Sequence, residues 1–188
     1  MAYSERVVDA FAFAARAHAG QVRKGSDVPY VTHVMAVAAI VGESGGDEDA
    51  VIAALLHDVV EDQPVTVAEI EQRFGRAVAD IVEACSDATT RPKPPWRERK
   101  ERYVAHLRTA SPSVRLVSAA DKLHNARAIA RDVRALGPAL WARFGAPKND
   151  IAWYYRRVLD ALADGWDHAI LHELAQAVAE VERCASQE

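Results

Sequence analysis

The stretch Ala53-Ala54-Leu55-Leu56-His57-Asp58-Val59-Val60-Glu61-Asp62 constrains this chain more than any other. An apolar helical run leads into four ionisable residues within six positions, with two valines between them. Apolar neighbours on both sides imply burial, and buried His, Asp and Glu are costly unless a cation or hydrogen bonds compensate. In a helix, residues four apart lie nearly over one another. His57 and Glu61 therefore share one face, and Asp58 and Asp62 the adjacent strip. An imidazole and a carboxylate at one level, with two carboxylates a turn on, suit a hard or borderline divalent metal with an activated water.

The rest of the chain reads as helices separated by short breaks. Ser4, Asp47 and the Thr66–Glu69 capping box open helices, and Gly20, Gly75 and Gly165 punctuate them. The central helix is expected from about Glu48 to Val60, and a second from about Thr32 to Glu43 with Thr32 as its cap. Gln21 to Tyr30 holds Gly25, Ser26, Asp27 and Pro29, so a loop or a small hairpin is expected there. Ser86 to Pro95 is the least regular stretch. A long helix opens at Pro112 and runs to about Leu136, carrying Asp121, His124 and Asn125 on one face. No segment sustains period-two alternation, so the fold class is all-α. The 188 residues fit one domain, and no repeat or linker divides them.

Composition excludes several function classes. A net charge of −4 lacks the basic surplus of a duplex nucleic-acid binder. No run approaches the ~20 apolar residues that span a bilayer, and Ser4, Glu5, Arg6 and Asp9 interrupt any signal-like segment. The two cysteines, Cys85 and Cys184, read as reduced thiols. A cytoplasmic location is expected, and the oligomeric state is not legible.

Six pieces recur in a specific order: Val22-Arg23-Lys24, Pro29-Tyr30-Val31-Thr32-His33, Ala54 through Asp62, Pro92-Lys93, Glu98-Arg99-Lys100, and Ala120-Asp121-Lys122-Leu123-His124-Asn125. Together they resemble the HD-domain metal-dependent phosphohydrolases. Within these, they resemble the small alarmone hydrolases, relatives of the hydrolase half of the RelA/SpoT proteins and of their metazoan homologue. The resemblance runs from about Phe11 to about Arg131 and implies an HD-domain helical bundle. It departs from the family at Val34, where the family has proline, and over the carboxy-terminal third.

The resemblance implies four metal ligands: His33, His57, Asp58 and Asp121. Two imidazoles and two carboxylates suit Mn²⁺, with Zn²⁺, Fe²⁺ and Mg²⁺ as competitors. It leaves Glu61 and Asp62 as the catalytic acid–base pair. Arg23, Lys24, Lys93 and Asn125 would hold the substrate, with Arg99, Lys100 and Lys148 as weaker contacts. Taken without the family, Arg23 and Lys24 are equally well solvated loop cations. The implied reaction is hydrolysis of the 3′-pyrophosphate of guanosine tetra- or pentaphosphate, with no synthetase domain fitting this length. Two alternatives stay open: an HD phosphohydrolase on another nucleotide (the phosphomonoester of NADPH, a deoxynucleoside triphosphate or a nucleoside monophosphate), or a non-catalytic nucleotide-binding module.

Overall fold

A computed structural model describes residues 3–88 and 92–187. Helices account for its regular structure. In chain order they are α1 (Glu5–Ala17), α2 (Val31–Glu43), α3 (Glu48–Leu56), α4 (Val59–Asp62), α5 (Val67–Phe74), α6 (Arg76–Cys85), α7 (Trp96–Leu107), α8 (Pro112–Leu136), a 3-10 turn (Gly137–Arg143), α9 (Lys148–Ala163) and α10 (Ile170–Ser186). The all-α class expected from the sequence is what the chain adopts. Among the described residues, β structure is limited to one antiparallel bridge between Val22 and Pro29, which closes the expected small hairpin. No described helix is long and apolar enough to cross a membrane.

The core is built around α3. Every residue from Ala50 to Leu56 is buried, as expected for a helix that is apolar all round. Helices α1, α2, α6 and α8 pack on it. Small residues at Ala50, Ala53 and Ala54 let these neighbours approach closely. The 25-residue α8 runs past α2 and α3 and then receives α9 and α10. Arg115 is buried near its start and caps the end of α9, donating to the carbonyls of Leu162 at 3.1 Å and Asp164 at 2.7 Å. That satisfies acceptors a helix terminus leaves open.

Local signals set several boundaries. Ser4, Asp47, Thr66 and Ser111 each accept an amide hydrogen bond at a helix start. Two expectations are corrected. Thr32 does not cap α2: the helix starts one residue earlier, and the Thr32 hydroxyl donates to the Pro29 carbonyl at 2.8 Å. The central helix does not run on to Val60 but breaks at His57–Asp58 before α4 resumes. In the irregular stretch before α7, Thr89, Thr90 and Arg91 lie outside the described residues.

Candidate metal centre

The break after α3 creates the site. Neighbouring residues in an unbroken helix point about 100° apart. Here the His57 Nε2 and Asp58 Oδ2 atoms are 3.1 Å apart. The Nδ1 atom of His57 lies 2.8 Å from the Ala54 carbonyl, which an uninterrupted helix would pair with the amide of residue 58. Helix α2 brings in His33, whose Nε2 is 3.6 Å from Asp58 Oδ2. Helix α8 brings in Asp121, whose Oδ1 is 3.2 Å from His33 Nε2 and 3.7 Å from His57 Nε2. Both histidines and Asp121 are buried.

His33, His57 and Asp58 fit a shared divalent cation, with candidate ligand atoms all within 4.8 Å of one another, and Asp121 adjoins them through the two imidazoles. Both Nε2 atoms are buried and lack a directed hydrogen bond, although carboxylate oxygens stand within ion-pair distance. Metal–ligand bonds of about 2.1 Å place neighbouring donor atoms roughly 3.0–3.4 Å apart, close to the spacings found here. A proton on His57 Nδ1 bonded to Ala54 leaves the Nε2 lone pair for a metal, the usual outer-shell arrangement. His33 Nδ1 likewise has a partner, Nδ1 of His124 at 2.8 Å. Burial above all, with the charge of Arg23, pushes the His124 pKa down to about 4, so this ring is neutral at pH 7.

Charge balance is concentrated at the same point. Burial opposes a charge on His57, but the Asp58 and Asp121 carboxylates outweigh it and hold its pKa well above the imidazole range, so a divalent cation at Nε2 would bind in place of a proton. Burial also opposes ionisation of Asp58, yet His57 and His33 keep it well below the carboxylate range. Against burial, Lys122 and the two histidines do the same for Asp121. The Tyr30 hydroxyl donates to Asp58 Oδ2 at 2.5 Å. Asp121 accepts from the Lys122 ammonium and, at 2.5 Å, from Asn125 Nδ2.

Glu61 and Asp62 stand on α4, one turn beyond the break. Glu61 Oε1 accepts from Lys93 Nζ at 2.8 Å, and Oε2 accepts from the Asp87 amide at 3.3 Å. Burial and the Asp87 carboxylate raise its pKa, while Lys93 opposes them. Asp62 Oδ2 accepts from Gln21 Nε2 at 3.0 Å, and Gln21 Oε1 in turn meets Gln63 and His18. A partly buried carboxyl with a raised pKa, beside a hydrogen-bonded one, is a candidate acid–base pair.

The residues expected to hold substrate divide. Arg23 donates to Asn125 Oδ1 at 2.6 Å and lies over the Tyr30 ring, so both belong to the rim of the cluster. Lys93 is at Glu61. Lys24 is exposed on the hairpin turn. Arg99 and Lys100 both pair with the nearly buried Asp87 carboxylate and so fix the loop that meets Glu61. Lys148 instead donates to the Gln187 carbonyl. Sequence reasoning gave no role to Tyr30, Gln21, Asp87 or His124. Tyr30 and His124 sit inside two quoted motifs, three residues from His33 and from Asp121, which was a usable signal. Gln21 and Asp87 had none.

Comparison with known proteins gives a consistent result. A family described as "HD domain" matches residues 10–152. The guanosine-3′,5′-bis(diphosphate) 3′-pyrophosphohydrolase MESH1 of Xenopus tropicalis is 42% identical over 139 residues, covering 72% of this chain and 74% of the relative. The human protein of the same name is 42% identical over 140 residues, covering 73% and 74%. The bifunctional (p)ppGpp synthase/hydrolase SpoT of Escherichia coli K12 is 38% identical over 131 residues, covering 66% of this chain but only 18% of SpoT. Among solved structures, a metazoan ortholog of SpoT described as hydrolysing ppGpp superposes with a TM-score of 0.78 at 28% identity, covering 97% of each chain.

Proposed function

We propose, from the fact that this chain belongs to the HD domain family, that it hydrolyses the 3′-pyrophosphate of guanosine tetra- or pentaphosphate. The products are GDP or GTP and pyrophosphate. The observation that carries this reading is the convergence of His33, His57, Asp58 and Asp121 from three parts of the fold at 3.1–3.7 Å, with two further acids one turn away. The names of the relatives supply the substrate. The whole chain is read as one HD-type domain, acting in the cytoplasm in alarmone turnover, the stringent response.

His33, His57, Asp58 and Asp121 are the proposed ligands, and Mn²⁺ the proposed ion, given two imidazoles and two carboxylates. Such an ion supplies Lewis-acid chemistry, bringing the pKa of a water toward roughly 7. The chain's own residues do the rest. Glu61, with its raised pKa, takes the proton of the attacking water. Asp62, held by Gln21, orients that water, and the proton that Glu61 takes from it is relayed to the departing 3′ oxygen as the 3′ O–P bond breaks. Arg23 and Asn125 grip the nucleotide from the rim, Arg23 by its planar fork. Lys93 exchanges its pairing with Glu61 for the substrate phosphate, and Lys24 adds positive charge from the turn.

The test is a metal analysis followed by a nucleotide panel. Protein loaded in turn with Mn²⁺, Zn²⁺, Fe²⁺ or Mg²⁺ is incubated with guanosine, adenosine and pyridine nucleotides. Release of pyrophosphate from 3′-pyrophosphorylated guanosines alone, greatest with Mn²⁺, supports the proposal. Release of orthophosphate or triphosphate from other nucleotides replaces it with the broader phosphohydrolase. Tight binding without turnover replaces it with a binding module.

A further inference from the structure

The proposed metal centre and its acids leave Arg143 without a role. Arg143 ends the 3-10 turn after α8. Its side chain lies across the hairpin turn of residues 23–28. A Cβ built on Gly25 would collide with Cδ, Nε and Cζ of Arg143. Gly25 also has φ +72°, in the left-handed region. A side chain is thus excluded there twice, by the backbone conformation and by the guanidinium overhead. Arg143 is only partly exposed. Among the described residues no carboxylate pairs with it, nor with Lys24 in the same turn.

The turn itself is well fixed. The Arg23 amide donates to the Val28 carbonyl at 2.8 Å, and the Ser26 amide to the Arg23 carbonyl at 3.0 Å. Its inner end is tied to the proposed ligands, because Arg23 donates to Asn125 and Asn125 to Asp121. Gly25, over which the Arg143 side chain lies, stands two residues further along the chain, a reach of up to about 7 Å. A nucleotide whose 3′-pyrophosphate meets the ligand cluster carries its 5′ chain on the other side of the ribose. A guanidinium with no acid partner among the described residues, lying over a turn that also carries the exposed Lys24, matches phosphate oxygens in charge and in geometry.

We infer that Arg143, assisted by Lys24 and given room by Gly25, binds the non-reacting 5′-phosphate chain and so sets a preference for nucleotides that carry one. This rests on the reading of the cluster as a 3′-pyrophosphohydrolase, and it adds a recognition element from outside the motifs that suggested that reading. Arg143 touches no reacting atom. Its contribution is to affinity.

The experiment is calorimetric titration of Mn²⁺-loaded protein with GDP and with guanosine. Wild type binds GDP more tightly than guanosine. Arg143→Ala weakens GDP binding roughly 10- to 100-fold, the scale of lost charged hydrogen bonds, and leaves guanosine and Mn²⁺ affinity unchanged. Arg143→Lys recovers part of the loss. Gly25→Ala, which keeps the charge but displaces it, weakens GDP in the same direction and serves if Arg143→Ala does not fold. Unchanged GDP affinity in Arg143→Ala, or an equal loss for GDP and guanosine, overturns the inference. Pyrophosphate release by wild type is measured in parallel. Its absence refutes the proposed reaction, whereas an unchanged GDP affinity refutes only the role of Arg143.

Discussion

Nδ1 of His33 lies 2.8 Å from Nδ1 of His124, so only one of these two nitrogens can hold the proton between them. For His33 to offer a lone pair at Nε2, His33 must be the donor and His124 the acceptor. The depressed pKa of His124 suits that role. His124→Ala is expected to weaken Mn²⁺ binding by about 10- to 100-fold, and His124→Gln, which keeps an acceptor, to restore part of it. Competition with a chelator measures this. Equal affinity in wild type and His124→Ala would remove His124 from the support of His33.

Asp58 faces both histidines at once and is steadied by Tyr30. Asp58→Ala should lose metal and turnover together. It should also lose the rise in melting temperature that added Mn²⁺ gives wild type, since a ligand stabilises only the state that binds it. A variant that still melts higher with Mn²⁺ would show that Asp58 is not a ligand.

Glu61 is proposed as the proton acceptor and not as a ligand. Glu61→Gln should retain the metal while turnover falls on the order of 10²–10⁴-fold. Single-turnover kinetics on metal-loaded protein give the comparison. Normal turnover would take Glu61 out of the reaction.

Lys93 opposes the burial and the Asp87 charge that raise the Glu61 pKa. A base must be ionised to act, so activity is lost as pH falls through its pKa. Removing Lys93 raises that pKa further. Lys93→Ala should therefore move the acidic limb of the pH–kcat profile to higher pH, in addition to raising KM. An acidic limb that stays in place would separate Lys93 from the protonation of Glu61.

Much of this was legible in the residues. Caps at Ser4, Asp47 and Thr66, and apolar spacing along α3 and α8, write local structure directly into the sequence. The clash of His57, Asp58 and Asp121 with apolar surroundings marked the cluster. What failed was continuity through His57–Asp58. Val59 and Val60 extend the apolar pattern, and no breaking residue separates them from Leu56, so periodicity predicts an unbroken helix. The break is seen only with the His57 ring on the Ala54 carbonyl and Asp58 turned toward Tyr30 and His33. Gln21, Asp87 and Arg143 were equally hidden, because each meets its partner across distant segments without a local pattern.

Arg23 is joined through Asn125 to Asp121, so in the proposed function ion loading and nucleotide capture become two views of one equilibrium. An ion that fixes Asp121 also fixes the Asn125 amide, and that amide presets Arg23. A nucleotide that immobilises Arg23 transmits the same order backward. Thermodynamic reciprocity makes the two effects equal in size. Under the proposed function, free ion concentration tunes nucleotide affinity through this line of side chains.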